Sequence, residues 1–294
     1  MKLRELAGLL GWRVRPKTYG FEIRLFELPT DGRVEYAQWL HPGESPKTIR
    51  QDVVDHLRRF IGPGDVVIDI GAHSGDSTIP LALAAGPTGE VLALEPNPYV
   101  FPVLEANAAL NRSRTAIVPL NFAATASAGP MTFEYSDAGF CNGGRHQGIS
   151  RWRHGHAFPL TVQGEHVPSY LDQHRPGAAD RLRFIKVDAE GYDLAVLESL
   201  SALIDLRRPF VRAEVYRHLG RDQRLALFDF FLSRGYVLRH VEDDANYLGQ
   251  VLRPVDVMRW RHFDVFAMPP ETTTPGSRVG VPVSEQEASP RDGA

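Results

Sequence analysis

A chain of 294 residues, 43% hydrophobic and 23% charged, makes one large domain or two small ones and has ample material for a buried core. The formal net charge is −3, from 33 Lys+Arg against 36 Asp+Glu, so no global basic excess points to nucleic acid, and the composition is that of a globular chain. The single cysteine, Cys141, excludes an internal disulfide framework and any multi-cysteine zinc or iron–sulfur site.

The N-terminus carries charge, but Leu6–Leu10 is too short for a signal peptide and Gly11 closes it. No stretch approaches the ~18 uninterrupted apolar residues of a membrane helix. These features predict a cytoplasmic protein, with peripheral membrane contact left open. Four cations, Lys2, Lys17, Lys47 and Lys186, are lysine and the rest arginine. That excess reads mainly as coding bias, with anion recognition as the other reading.

Leu3, Leu6, Leu9 and Leu10 suggest a short helix. Extended stretches follow at Phe21–Leu28 and Val34–Leu40, joined by an Asp31-Gly32 turn. Thr48 is placed to cap a helix running to Phe60, with Ile49, Val53, Val54, Leu57 and Phe60 on one face. From Asp65 the pattern becomes α/β alternation. Strands are predicted at Val66–Ile70, Glu90–Glu95, Thr115–Leu120, Phe184–Asp188 and Pro209–Val215. Helices fall at Ser77–Ala85, Tyr99–Asn111, Val167–His174, Tyr192–Ser201 and Asp222–Arg234. Met131–Tyr135 and Leu160–Val162 are extended, and residues 136–159 read as a long loop rich in Gly, Arg and His. Tyr236–Val241 and His262–Ala267 are expected to close one sheet edge as an antiparallel pair. The whole predicts a mostly parallel sheet covered on both faces. The Pro- and Thr-rich stretch from Pro269 to Ala294 reads as a disordered tail.

The first core strand ends in Asp69-Ile-Gly71-Ala72-His73-Ser-Gly75. Glycines between a buried strand and a helix let a ligand approach the backbone, at the strand ends where open α/β sheets bind ligands. Glu95 ends the next strand, where a carboxylate accepts hydrogen bonds from ribose hydroxyls. The Gly71-x-x-x-Gly75 spacing lacks the G-x-G-x-x-G of dinucleotide sites, and G-x-x-x-x-G-K-[ST] is absent. S-adenosylmethionine (SAM) remains as the nucleoside cofactor that fits.

Val-Val-Ile-Asp69-Ile-Gly-Ala-His-Ser-Gly75, Leu-Glu95-Pro-Asn-Pro98 and Phe-Ile-Lys186-Val-Asp188-Ala-Glu190-Gly191-Tyr-Asp resemble the FkbM-type SAM-dependent methyltransferases, over about residues 64–267. The resemblance implies an α/β fold of the class I, Rossmann-like kind: a seven-stranded, mostly parallel sheet with helices on both faces. Here it carries an N-terminal cap, giving a cap over 1–60, the methyltransferase domain over 61–268 and the tail over 269–294. It implies O-methylation of natural products and sugars, a role in secondary metabolism. By the resemblance Asp69, Gly71, Ala72 and Gly75 line the methionine part of SAM. His73 belongs to the same cofactor loop, where the family more often has residues such as Asn. Glu95 holds the ribose, Pro96 and Asn97 flank the adenine edge, Asn121 meets adenine, and Asp188 lies beside the transferring methyl.

Methyl transfer to an alcohol needs alignment, water exclusion and a proton acceptor. Asp188 and Glu190 alternate by two and are expected on one face of a strand end. Glu214, in Val-Arg-Ala-Glu214-Val-Tyr216, ends the next strand at the same rim. Asp188, Glu214 and His146 are the candidate catalytic groups; Glu190, Arg145, His154 and Tyr216 are candidates for binding the substrate. Glu190 also reads as a helix N-terminal carboxylate. Trp39, His41 and Glu44 either cover the substrate or pack. No metal is assigned, since nothing matches a fixed ligand spacing. The expected partner is a small molecule bearing a hydroxyl: a sugar or glycoside, a glycolipid or a polyketide-like metabolite. N-methylation of a small amine and a SAM-binding protein without catalysis stay open. Nucleic acid and an integral membrane segment are not expected, and a homodimer is allowed.

Overall fold

The computed structural model describes residues 16–136, 139–141, 143–144 and 158–270. The expected helix at 3–10, residues 271–294 of the expected tail, and Arg145, His146 and His154 lie outside the described residues.

The described chain opens with a hairpin, β1 (Phe21–Leu28) and β2 (Gly32–Trp39), paired antiparallel from Phe21↔Trp39 to Leu28↔Gly32. Then come α1 (Gln51–Leu57), β3 (Val66–Ile70), α2 (Thr78–Ala85), β4 (Glu90–Leu94), α3 (Phe101–Ala109) and β5 (Ile117–Leu120). After an inserted sheet and α4 (Val167–His174) follow β10 (Leu182–Val187), α5 (Asp193–Ser199), α6 (Ser201–Arg207) and β11 (Phe210–Val215). The described chain finishes with α7 (Arg221–Leu232), β12 (Val237–Val241) and β13 (Phe263–Met268).

The central sheet has seven strands in the order β12-β13-β11-β10-β3-β4-β5. Its neighbours from β11 to β5 are parallel, and β13 runs antiparallel to both β11 and β12. This is the α/β architecture expected above, with the reversed strand inserted inside the edge. All five residues of β3 are buried, as a central parallel strand covered on both faces requires. One face packs Ile68, Ile185 and Val211 against Val196 of α5 and Phe228 of α7. The other packs Val67, Phe184, Phe210 and Phe266 against Leu57 of α1 and Leu81 of α2.

The hairpin is tied to this core through amides. Asn107 accepts from Ala37 N at 2.7 Å and donates to Ala37 O at 3.0 Å and Ser74 O at 2.7 Å. Asn111 repeats the device on Glu35 N and O, at 3.0 and 2.8 Å. Asn107 of α3 and Asn111 just past its end thus satisfy an edge that would otherwise be open for pairing.

The inserted sheet holds β6 (Ala123–Ala124), β7 (Gly129–Tyr135), β8 (Gly143–Gly144) and β9 (Phe158–Glu165), in the order β6-β9-β7-β8. Sequence periodicity placed β8 and the start of β9 in a loop. The two glycines of β8, paired with Glu134 and Tyr135, carry no alternating pattern, and β9 starts opposite Tyr135 across the intervening segment.

Three other expectations change. The first core helix begins after Arg50, not Thr48, and no side chain caps it. Lys47 N instead donates to Gln38 Oε1 at 2.7 Å, holding this stretch against β2. The helix expected over 192–201 divides at fully buried Leu200, whose φ of −97° and ψ of 1° interrupt the helical run, so α6 follows α5 directly. Finally, β10 ends at Val187, so Asp188 and Glu190 lie on a turn and not at alternate strand positions. None of the described helices is long and apolar enough to cross a membrane.

Candidate active site

The carboxyl ends of β3, β4 and β10 open into a cavity of about 770 Å³, within the roughly 300–1,000 Å³ common for small-molecule and cofactor sites. Its floor is the glycine loop after β3. Gly71 N and Ala72 N donate to Leu94 O at 3.0 and 2.9 Å, and Asp188 N donates to Ile70 O at 3.0 Å. Gly71 has a φ of +78°, and a Cβ there would stand 2.0 Å from Asp188 O. Only glycine lets the loop lie between these two strand ends.

Of the loop residues, Gly71 and His73 line the cavity. Ala72 is buried against Ala93 and Leu104. A Cβ on Gly75 would meet Leu104 Cδ1 at 3.1 Å, so this glycine serves the packing of α3. Asp69 lies fully buried beneath the loop. Its Oδ2 accepts from Ser77 Oγ at 3.0 Å and Thr78 Oγ1 at 2.7 Å, tying the start of α2 to the sheet. Its Oδ1 is 3.5 Å from Lys186 Nζ.

Glu95 lines the cavity with Pro96. It accepts from His73 N at 2.9 Å through Oε2 and from Asn97 N at 2.8 Å through Oε1. Burial pushes its carboxyl up, against the pull of His73. Each carboxylate oxygen has lone pairs beyond the one engaged, so ribose hydroxyls fit as further donors. Asn97 is buried away from the cavity. It donates to Phe140 O at 2.6 Å and accepts from Tyr99 N at 2.9 Å. Asn121 is exposed and donates to Glu95 O at 2.8 Å. Phe122, Ala123, Phe133 and Tyr135 supply the apolar wall. A nucleoside, with the flat aromatic face of its base against this wall and its ribose hydroxyls toward Glu95, therefore fits these residues.

The acidic wall is built from the turn after β10. Asp188 and Glu190 both line the cavity. Glu190 has a φ of +53°, and β8 presses on it: a Cβ on Gly144 would stand 2.9 Å from Glu190 Cβ. Burial, then the charge of Asp188, raises the Glu190 pKa to about 7. Lys186 Nζ sits 3.3 Å from Asp188 Oδ2 and 3.5 Å from Asp69 Oδ1. Burial opposes its charge, but these two carboxylates hold it protonated, above its ordinary range. The helix N-terminal carboxylate is Asp193, not Glu190: it accepts from Ala189 N at 3.1 Å and Gly191 N at 3.0 Å. Glu214 and Tyr216 are buried behind the wall and do not line it. Burial raises the Glu214 carboxyl well above its usual range, and its Oε1 is 3.4 Å from His262 Nδ1.

Among Trp39, His41 and Glu44, Glu44 reaches the cavity, whereas Trp39 and His41 pack behind it, 4.7 Å apart between ring centroids. Sequence reading did not single out Lys47, Asp76, Tyr135 or Cys141 as site residues, yet all four line the cavity. Asp76 directly follows the glycine loop, whereas Lys47, Tyr135 and Cys141 come from segments remote from the motifs. The alternation at Met131–Tyr135 is a signal for Tyr135 alone.

A family model described as the methyltransferase FkbM domain matches residues 69–238, more than half of the chain. Among solved structures, the chain is similar to a methyltransferase FkbM from Methylobacillus flagellatus, with 17% identity and a TM-score of 0.42, over 69% of this chain and 43% of that one. The chain thus spans less than half the length of that relative. It is also similar to a precorrin-6y C5,15-methyltransferase from Geobacter metallireducens, with 13% identity and a TM-score of 0.40, over 77% of this chain and 92% of that one. A third is the Aeropyrum pernix fibrillarin with natively bound SAM, with 11% identity and a TM-score of 0.40, over 87% of this chain and 98% of that one. No curated protein matches the sequence.

Proposed function

The chain belongs to the FkbM family of SAM-dependent methyltransferases, and from that premise we propose that it methylates a hydroxyl group of a small molecule. The acceptor is a sugar or glycoside, a glycolipid or a polyketide-like metabolite. One observation carries this reading: Glu190, on the cavity wall beside Asp188, has its pKa raised to about 7. A carboxylate tuned to neutral pH suits an acceptor that must give up a proton as the new bond forms.

When bound, SAM supplies an electrophilic methyl group on a sulfonium. Glu95 takes the ribose hydroxyls through its remaining lone pairs. Gly71 and His73 border the methionine part, and Pro96 and Phe122 the adenine. Asp188, held by Lys186, orients the acceptor hydroxyl. Glu190 receives that proton on a carboxylate oxygen. Rate enhancement then comes from alignment and exclusion of water, with no covalent bond to the chain. Glu214 and Tyr216 act through the wall they support. Residues 61–268 form the catalytic domain in this reading and 1–60 its cap, with β2 bonded to α3.

The test is incubation with SAM and a panel of hydroxylated metabolites and amines, read by mass spectrometry. A mass gain of one methyl group on hydroxylated compounds is the expected result. Methylation confined to amines would overturn it, as would tight SAM binding by calorimetry with no transfer to any acceptor.

A further inference from the structure

Among the described residues, Glu44, His73 and Cys141 bring one carboxylate oxygen, one imidazole nitrogen and one thiol sulfur within 4.8 Å of one another. They come from three separate segments: the stretch before α1, the glycine loop after β3, and the stretch before β8. All three line the cavity. We propose that these residues bind one divalent transition-metal ion of the zinc type at the edge of the cofactor cavity.

The geometry is close to what such an ion requires. Zinc–sulfur and zinc–oxygen bonds of about 2.3 and 2.0 Å at a tetrahedral angle place the two ligand atoms about 3.5 Å apart. Cys141 Sγ and Glu44 Oε2 are 3.7 Å apart. The carboxylate is also divided by role. Oε1 faces Lys47 Nζ at 3.1 Å, and Oε2 faces the sulfur. The ammonium therefore orients the carboxylate without occupying the ligand oxygen.

His73 is steered by its neighbours. Its backbone N–H is held by Glu95 and its Nε2 is 3.3 Å from Cys141 O. With the proton on Nε2 donated to that carbonyl, the other ring nitrogen keeps its lone pair, the outer bonding pattern usual for metal-ligating histidine. The backbone is tight here as well. A Cβ on Gly43 would stand 3.5 Å from Cys141 Sγ, and one on Gly139 would stand 2.2 Å from His41 Nε2.

A mixed S, N, O set selects borderline metals over magnesium and calcium, which take all-oxygen shells. On binding, the Cys141 S–H bond breaks, an S–metal bond forms and the proton leaves to buffer. Thiolate and carboxylate together neutralise the ion. Three protein ligands leave a fourth position open toward the cavity.

The test uses the full chain, stripped with chelator and titrated with Co²⁺ and then Zn²⁺. The expected result is one ion per chain, a sulfur-to-cobalt charge-transfer absorption that Zn²⁺ displaces, and a melting temperature raised by Zn²⁺. Cys141→Ser should abolish the absorption and weaken Zn²⁺ binding at least ~100-fold. His73→Asn keeps a residue that tolerates the positive φ and should weaken binding to a similar degree, as should Glu44→Gln. Each variant should melt with the wild type in chelator, and any that does not is replaced by the other two. A wild type that binds no ion overturns the proposal. So does stoichiometric binding undiminished in Cys141→Ser or His73→Asn.

Discussion

Gly71 and Asp188 meet backbone to backbone: a Cβ on the glycine would lie 2.0 Å from the Asp188 carbonyl oxygen. Asp188 N is bonded to Ile70 O in the same contact. The cofactor loop and the acidic turn are therefore positioned by one another. A shift in either moves both halves of the site.

Gly71→Ala should accordingly damage stability and SAM binding together. Left-handed strain and overpacking against a carbonyl add to a destabilisation of about 2–5 kcal/mol. Denaturant unfolding reads the first effect and calorimetric titration with SAM the second. Gly64→Ala, whose φ of +92° is similar but whose Cβ would meet nothing closer than 3.9 Å, should show the smaller strain loss alone.

Lys186 is the counter-ion of a fully buried Asp69. Lys186→Met leaves that carboxylate without its cation, and loss of one partner of a buried pair costs about 3–5 kcal/mol. Asp69→Asn in the Lys186→Met background should recover much of that loss. Urea unfolding of the four forms gives the coupling energy. Additive losses would show that the two side chains do not interact.

Glu190 as proton acceptor makes kcat/KM rise with pH. The carboxylate must be ionised, so activity should climb through about pH 7, the value to which burial and Asp188 raise it. Glu190→Gln should lower kcat by about 10²–10⁴-fold and remove the rising limb. A variant with the same pH profile as the wild type would exclude Glu190 as the base.

His56 gives stability a separate pH dependence. It is buried, its Nε2 accepts from Tyr247 N at 2.9 Å, and burial lowers its pKa to about 4. The unfolded chain binds this proton near pH 6.5, the folded chain only near pH 4. The His56 contribution is thus full above about pH 6.5 and is lost as pH falls toward 4. His56→Gln keeps an acceptor but no titrating ring. Its melting temperature should fall less than that of the wild type between pH 7 and pH 5.

Local pattern was enough for most of the scaffold. A run such as Val66–Ile70 is legible as a buried strand because both of its faces are apolar, and the glycine loop and Glu95 mark the cofactor end of the sheet through short-range motifs. The antiparallel closing pair was legible because no helical pattern separates its two extended runs. The motifs could not say which loop residues face the cavity. Gly75 and Asn97 turned out to pack, because helix α3 and the 139–141 segment approach from far along the chain.

The sequence by itself determined the α/β order, the family and the chemical types available at the strand ends, since these follow from local periodicity and contiguous motifs. Only the tertiary structure decided that Glu190 stands in the cavity while Glu214 is behind it. It alone set the split roles of the two Asp69 oxygens and gathered Glu44, His73 and Cys141 into one cluster. Those outcomes depend on pairings between distant segments. Pairings of that kind leave no periodic trace in the residues that make them.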